Sequence, residues 1–188
     1  MHPWHDLPPG PQPPTVLNCI VEIPGGSRNK YELEKDSGLF RFDRLLYSSV
    51  HYPGDYGFVP QTLADDGDPL DVLVLVTEPT FTGCLIRVRP IGVFEMTDQE
   101  ELDEKLLAVP LRDPLFSEYA GLGDVAPHLL REVEHFFAVY KELEGARTVS
   151  LGWNDRERAD AIIQAALSRY TAARSQRQHE EGKRNAAG

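Results

Sequence analysis

At 188 residues the chain has single-domain length, and with 41% hydrophobic residues it can bury a core without cross-links. Thirty Asp and Glu against nineteen Lys and Arg leave a formal net charge of -11, which disfavours nucleic acid and anionic membranes as partners; a small anion can be held only where cations accompany it or basic residues collect locally. Cys19 and Cys84 lie in apolar stretches without CxxC spacing, no basic leader precedes an apolar run, and no stretch approaches a membrane span, so reduced thiols and a cytoplasmic location are expected.

In chain order, prolines at 3, 8, 9, 11, 13 and 14 predict an extended or disordered peripheral arm over residues 1–15. Short runs rich in Val, Ile, Leu, Phe and Tyr then alternate with Gly, Pro and Asp clusters, which predicts strands at 16–23, 30–34, 39–43, 71–76, 85–95 and 106–109. After Gly123 the period changes. Val125, Leu129, Val133, Phe136, Phe137, Tyr140 and Leu143 form a helical stripe, with Asp124 as its cap and Gly145 as its stop. A second helix is expected from Asn154 or Asp155, with Ala159, Ile162, Ile163, Ala166, Leu167 and Tyr170 as its inner face, followed by a frayed polar tail over 176–188. Several short strands and two late helices make residues 16–175 one α+β domain built on a small barrel.

The densest chemical signal is Asp65-Asp66-Gly67-Asp68-Pro69-Leu70-Asp71, running directly into Val72-Leu73-Val74-Leu75-Val76. Asp-Gly and Asp-Pro are ordinary turn chemistry. Two carboxylates about 4 Å apart, however, repel by roughly 4 kcal/mol at an effective dielectric near 20, so a converging cluster calls for cations. Oxygen-only donors suit a hard ion such as magnesium, manganese or calcium and not zinc. An EF-hand counted from Asp66 fails, with Asp71 at its sixth position and Thr77 at its twelfth. Glycines ahead of Lys30 resemble a phosphate loop but Asn29 and Tyr31 occupy the places that a Walker loop gives to Gly and Ser or Thr. That segment reads instead as a turn whose flanking strands carry Glu22, Lys30 and Glu32. A second acidic run, Asp98 to Lys105, follows the long strand and by itself reads as a solvated loop, while an apolar continuation at 106–109 pins Asp103 and Lys105 to the start of a buried strand. Tyr52 and Tyr56 flank a turn, and Tyr140-Lys141 sits on the first helix.

In this order the pieces resemble the family I soluble inorganic pyrophosphatases, over roughly residues 16–143. Asp66-Gly67-Asp68-Pro69-Leu70-Asp71-Val72-Leu73-Val74 is the most specific string, supported by Glu22-Ile23-Pro24, Lys30-Tyr31-Glu32, Tyr52-Pro53 with Tyr56-Gly57, Asp98 with Asp103 and Lys105, and Tyr140-Lys141. The resemblance implies magnesium-dependent hydrolysis of pyrophosphate to two phosphates, on a distorted OB-like five-stranded barrel with helices packed outside. It also implies a homo-oligomer, usually a hexamer in bacteria. By the same resemblance Asp66, Asp71 and Asp103 hold the tightest Mg2+, with Mn2+ a possible substitute. Asp98 and Asp103 help to hold a metal that arrives with substrate, and Glu22 and Glu32 act through water. Lys30, Arg44, Tyr56, Lys105, Tyr140 and Lys141 contact phosphate, Tyr52 orients the site, and Asp68 accepts the proton of the attacking water. The chain departs from the family pattern at Gln99 and Glu101, which stand where a Glu and a Gly are usual, and His51 and Asp55 stand where less polar or uncharged residues are expected.

Overall fold

A computed structural model describes residues 1–186. Its strands are β1 (Leu17–Ile23), β2 (Asn29–Leu33), β3 (Phe40–Leu45), β4 (Asp55–Phe58), β5 (Asp71–Val74), β6 (Leu85–Asp98), β7 (Glu101–Pro110) and β8 (Thr148–Asn154), with two long helices, α1 (Pro127–Val139) and α2 (Arg156–Ala186). Five strands close a ring in the order β1-β4-β5-β7-β6 and back to β1. This is the expected small distorted barrel. Only the β5–β7 pair is parallel within it. The fourteen-residue β6 serves two neighbours along one edge, β1 at residues 85–88 and β8 at 93–98. β2 and β3 form a separate hairpin.

Strands β5 and β7 read as unbroken apolar runs because both faces of the ring are covered. Val72, Val74, Leu106 and Ala108 pack with Ala159, Ile162, Ile163 and Ala166 of α2. The alternate residues Leu73, Leu75, Leu107 and Val109 pack with Val133, Phe136 and Phe137 of α1. At Gly57 a Cβ would lie 1.9 Å from the carbonyl oxygen of Ile20, so only glycine lets β4 approach β1 this closely.

Several local expectations are corrected. The arm is not peripheral: Trp4 is 4% exposed, its indole N–H donates to the Thr62 carbonyl at 2.9 Å, and its ring lies 6.1 Å from Tyr170 of α2. Instead of running extended or disordered, residues 3–6 form a turn around the buried Trp4, which proline content does not reveal. Asp124 does not cap α1. Its carboxylate accepts from Ala120 N and Gly121 N and closes a short 3-10 turn, while Pro127 starts α1. Gly145 does act as a stop, at φ 77, but for a second 3-10 turn beyond Tyr140. β4 and β8 were not predicted; four residues around Tyr56 read as part of a turn, and the alternation of Val149, Leu151 and Trp153 in β8 is short and lies between two helical patterns. Beyond Ser175, α2 continues to Ala186 instead of fraying, since Ala, Arg, Gln, Glu and Lys are good helix formers; residues 187–188 of the expected tail lie outside the described residues.

Trp4→Ala should lower unfolding free energy by about 3 kcal/mol in a denaturant titration, the usual result of emptying a buried indole site. A loss under about 0.5 kcal/mol, typical of surface substitutions, would mean that the arm does not dock in solution.

Candidate active site

Strand register sets the centre of the site. The parallel β5–β7 pairing puts Asp71 beside Lys105 as direct partners. On the other edge of β7, Met96 faces Asp103 and Asp98 faces Glu101. The β2–β3 hairpin sets Lys30 opposite Arg44 and Glu32 opposite Arg41. Between β4 and β5, Asp66 accepts the Asp68 backbone N–H at 2.9 Å and Gly67 takes φ 87, a tight turn that turns two neighbouring carboxylates inward. Tyr140 and Lys141 follow directly on α1.

These elements surround a cavity of about 570 Å³, lined by Glu22, Lys30, Glu32, Tyr56, Asp66, Asp68, Asp71, Asp98, Asp103, Lys105, Tyr140 and Lys141. Of the residues singled out in the sequence, Arg44 and Tyr52 lie outside this lining. Arg44 pairs with Asp43 and, at 2.7 Å, with Glu144. Tyr52 is buried, with its ring 5.4 Å from Tyr56 and 4.7 Å from Phe136. Lys35, Asp36 and Arg41 also line the cavity. No motif marked these three, because this end of the β2–β3 hairpin reaches the site only through tertiary packing.

Lys105 is 3% exposed and is the electrostatic hub. Its ammonium donates to Asp71 at 2.8 Å, Asp103 at 2.9 Å and the Tyr56 hydroxyl at 2.9 Å. Burial alone would pull its pKa down, but Asp103 and Asp71 outweigh that and hold it well above the usual lysine range. Tyr56 also donates to Asp71, and burial pushes the Tyr56 and Tyr140 phenols up, so both stay protonated at neutral pH. Lys141 pairs with Asp98, and Lys30 pairs with Glu32 and, at 3.6 Å, with Asp43. Glu22 and Asp66 have no cation partner among the described residues. Burial, with Asp71 nearby, raises Glu22 to about 8, and burial likewise raises Asp66.

Two departures from the family pattern have local explanations. The acidic run is no open loop: β6 and β7 continue through it to a two-residue tip, Gln99 at φ 51 and Glu100 at φ 74. Both tip residues occupy the left-handed region that such hairpins require, and Glu101 starts β7 where no glycine is needed. Asp55 is fully buried, accepting from Gly25 N at 2.8 Å, Thr80 N at 3.0 Å and Thr80 Oγ1 at 2.6 Å, so its charge is satisfied by three donors that tie β4 to two loops. His51 is exposed, and nothing in the structure explains it.

Among the described residues no three His, Cys, Asp or Glu side chains form a ready cage for a metal ion. Lys105 sits between Asp71 and Asp103, and Lys141 holds Asp98. The donor set still fits a hard divalent ion: it is all oxygen, two of its acids lack a cation, and the buried Oδ1 of Asp98 has no hydrogen-bond partner.

The raised pKa of Glu22 fixes a sign. Between its ordinary 4.5 and about 8 the native chain binds more protons at Glu22 than the unfolded chain does, so this group lowers stability as pH rises through that window. In chelator, Glu22→Gln should therefore flatten the fall in melting temperature between pH 5.5 and 7.5. Parallel pH profiles for both proteins would contradict the assignment.

The sequence profile of the inorganic pyrophosphatases matches residues 19–171. An inorganic pyrophosphatase of Nostoc sp. is 53% identical over 162 residues, covering 86% of this chain and 96% of that one. One from Methanosarcina mazei is 54% identical over 156 residues, covering 82% and 92%. The crystal structure of inorganic pyrophosphatase from Thermus thermophilus superposes with a TM-score of 0.86 at 40% identity, covering 90% of this chain and 99% of that one. With the profile spanning most of the chain and relatives above half identity over nearly their whole length, this chain belongs to the family I inorganic pyrophosphatases.

Proposed function

We propose that this chain hydrolyses inorganic pyrophosphate to two phosphates, with magnesium as its cofactor and manganese as a substitute. The carrying observation is the mixed lining of one cavity, in which Asp66, Asp71, Asp98 and Asp103 alternate with Lys30, Lys105, Lys141 and the phenols of Tyr56 and Tyr140. The relatives named above, all inorganic pyrophosphatases, support the substrate. Asp66, Asp71 and Asp103 are the residues for a first ion, Asp98 with Asp103 for a further one, and Glu22 and Glu32 for contacts through water. Divalent ions held there would neutralise substrate charge and acidify coordinated water.

The protein groups do the rest. Asp68 takes the proton of the attacking water. Lys30 and Lys141 meet charge that builds on the leaving phosphate, with Lys105 as a further phosphate contact; Arg44, outside the lining, joins them by exchanging Asp43 or Glu144 for phosphate. Tyr56 and Tyr140 donate neutral hydrogen bonds, so stabilisation is mainly electrostatic. Tyr52 orients Tyr56 by ring packing. Water is the direct nucleophile in this reading, and no covalent intermediate is needed.

Purified protein should release phosphate from pyrophosphate under magnesium and stop on addition of chelator, with ATP hydrolysed far more slowly. Asp68→Asn should lower turnover by roughly two to four decades while leaving the fold intact, the usual contribution of a general base. A wild-type rate in that variant removes Asp68 from the role.

We further propose a cytoplasmic homo-oligomer, with a hexamer favoured. Phe42, Tyr47, Phe81 and Leu115 are each more than half exposed, a load of large apolar side chains that supports self-association. No helix among the described residues is long and apolar enough to cross a membrane. Light scattering after gel filtration should give six chain masses, and a monomer at micromolar concentration would refute the assembly.

A further inference from the structure

Among the cations of the cavity, Lys35 has no part in the reading above. It stands in the β2–β3 turn, and its ammonium pairs with Asp68. Lys30, Lys105 and Lys141 are engaged with other acids, and among the described residues Lys35 is the only side-chain partner of the Asp68 carboxylate. Both groups are about half exposed, at 52% and 51%. An exposed pair of this kind adds little to stability, but Asp68 Oδ1, the oxygen that Lys35 meets, is itself buried and has no hydrogen-bond partner, so the lysine charge is what faces it.

The N-terminal arm bonds the Lys35 backbone directly and, on the other side, the segment that leads to Asp68. On the lysine side, His2 Nε2 donates to the Lys35 carbonyl at 2.9 Å, and a Cβ at Gly38 of the same turn would touch the His2 ring at 2.9 Å. On the aspartate side, the Trp4 carbonyl accepts from Gln61 N at 2.9 Å and the Trp4 indole donates to Thr62 O at 2.9 Å, in the segment that leads into the Asp65–Asp71 turn. One six-residue stretch thus fixes the spacing between two loops that are otherwise far apart in sequence. The turn is also stiffened from within, by Glu34 N to Leu39 O at 2.8 Å and Gly38 N to Glu34 O at 2.9 Å.

We propose that Lys35, braced by the N-terminal arm, is a positioning residue that holds the Asp68 carboxylate in the orientation from which it accepts the proton. The proposal rests on Asp68 being the base, and its test separates the two. Steady-state rates on pyrophosphate at saturating magnesium are measured for Lys35→Met, Lys35→Arg, His2→Ala, Asp68→Asn and the Lys35→Met/Asp68→Asn double variant. Lys35→Met lowers kcat roughly five- to tenfold with KM and melting temperature unchanged, Lys35→Arg recovers most of it, and His2→Ala loses less in the same direction. In the Asp68→Asn background, Lys35→Met causes no further loss, because a residue acting through Asp68 has nothing left to orient. A rise in KM at unchanged kcat, or an equal further loss in that background, overturns the proposal by showing that Lys35 acts on substrate directly or on the fold. A wild-type rate for His2→Ala removes the arm from it. A wild-type rate in Asp68→Asn alone overturns the base assignment and the positioning role together, and is recognised in the single variant.

Discussion

The site depends on one buried ammonium. Asp71 and Asp103 belong to different strands and carry like charge, and bringing them together in a largely dry interior without a cation would drive one of them to protonate. Lys105, almost fully buried between them and hydrogen-bonded to Tyr56 as well, removes that conflict. Its position is not adjustable by a flexible loop: Asp71 and Lys105 are register partners in the one parallel pair of the ring. A slip of one residue would send the side chains of the slipped strand to the opposite face, parting Asp71 from Lys105 and misplacing the apolar residues that α1 and α2 cover. Core packing and site geometry are therefore a single constraint.

The same logic resolves the sign of the field. The chain is strongly acidic overall, yet its candidate substrate is a compact polyanion. In the cavity most acids already have an assigned cation: Lys105 serves Asp71 and Asp103, Lys141 serves Asp98, Lys35 serves Asp68 and Lys30 serves Glu32. Of the acids left over, Glu34 and Asp36 are exposed on the β2–β3 turn, while burial raises the pKa of Glu22 and Asp66. An array of paired acids with a few unpaired ones can exchange its internal cations for metal and phosphate without ever exposing a naked cluster of one sign.

Much of this was legible in the chain itself. Asp66 to Asp71 abutting a β-branched run could be read as a carboxylate turn feeding a buried strand, because turn residues and apolar periodicity are local signals. The α1 stripe from Val125 to Tyr140 was equally plain, though its start was misplaced by a short 3-10 turn that uses the same Asp124. Where two local signals competed, sequence chose wrongly. Prolines in the arm outvoted Trp4, and the charges around Gln99 and Glu100 disguised a strand hairpin as a solvated loop.

Sequence by itself determined which chemical groups were available, the oxygen-only character of the donors, the α+β class and the family, since each of these follows from residue identity and short-range spacing. Tertiary structure alone decided which acid receives which cation. Lys105 between two aspartates, Lys35 on Asp68, Asp55 on Gly25 and Thr80, and Trp4 under α2 all join residues distant along the chain. Such pairings are set by strand register and by closure of the ring, and a one-dimensional pattern does not encode the distance between two loops.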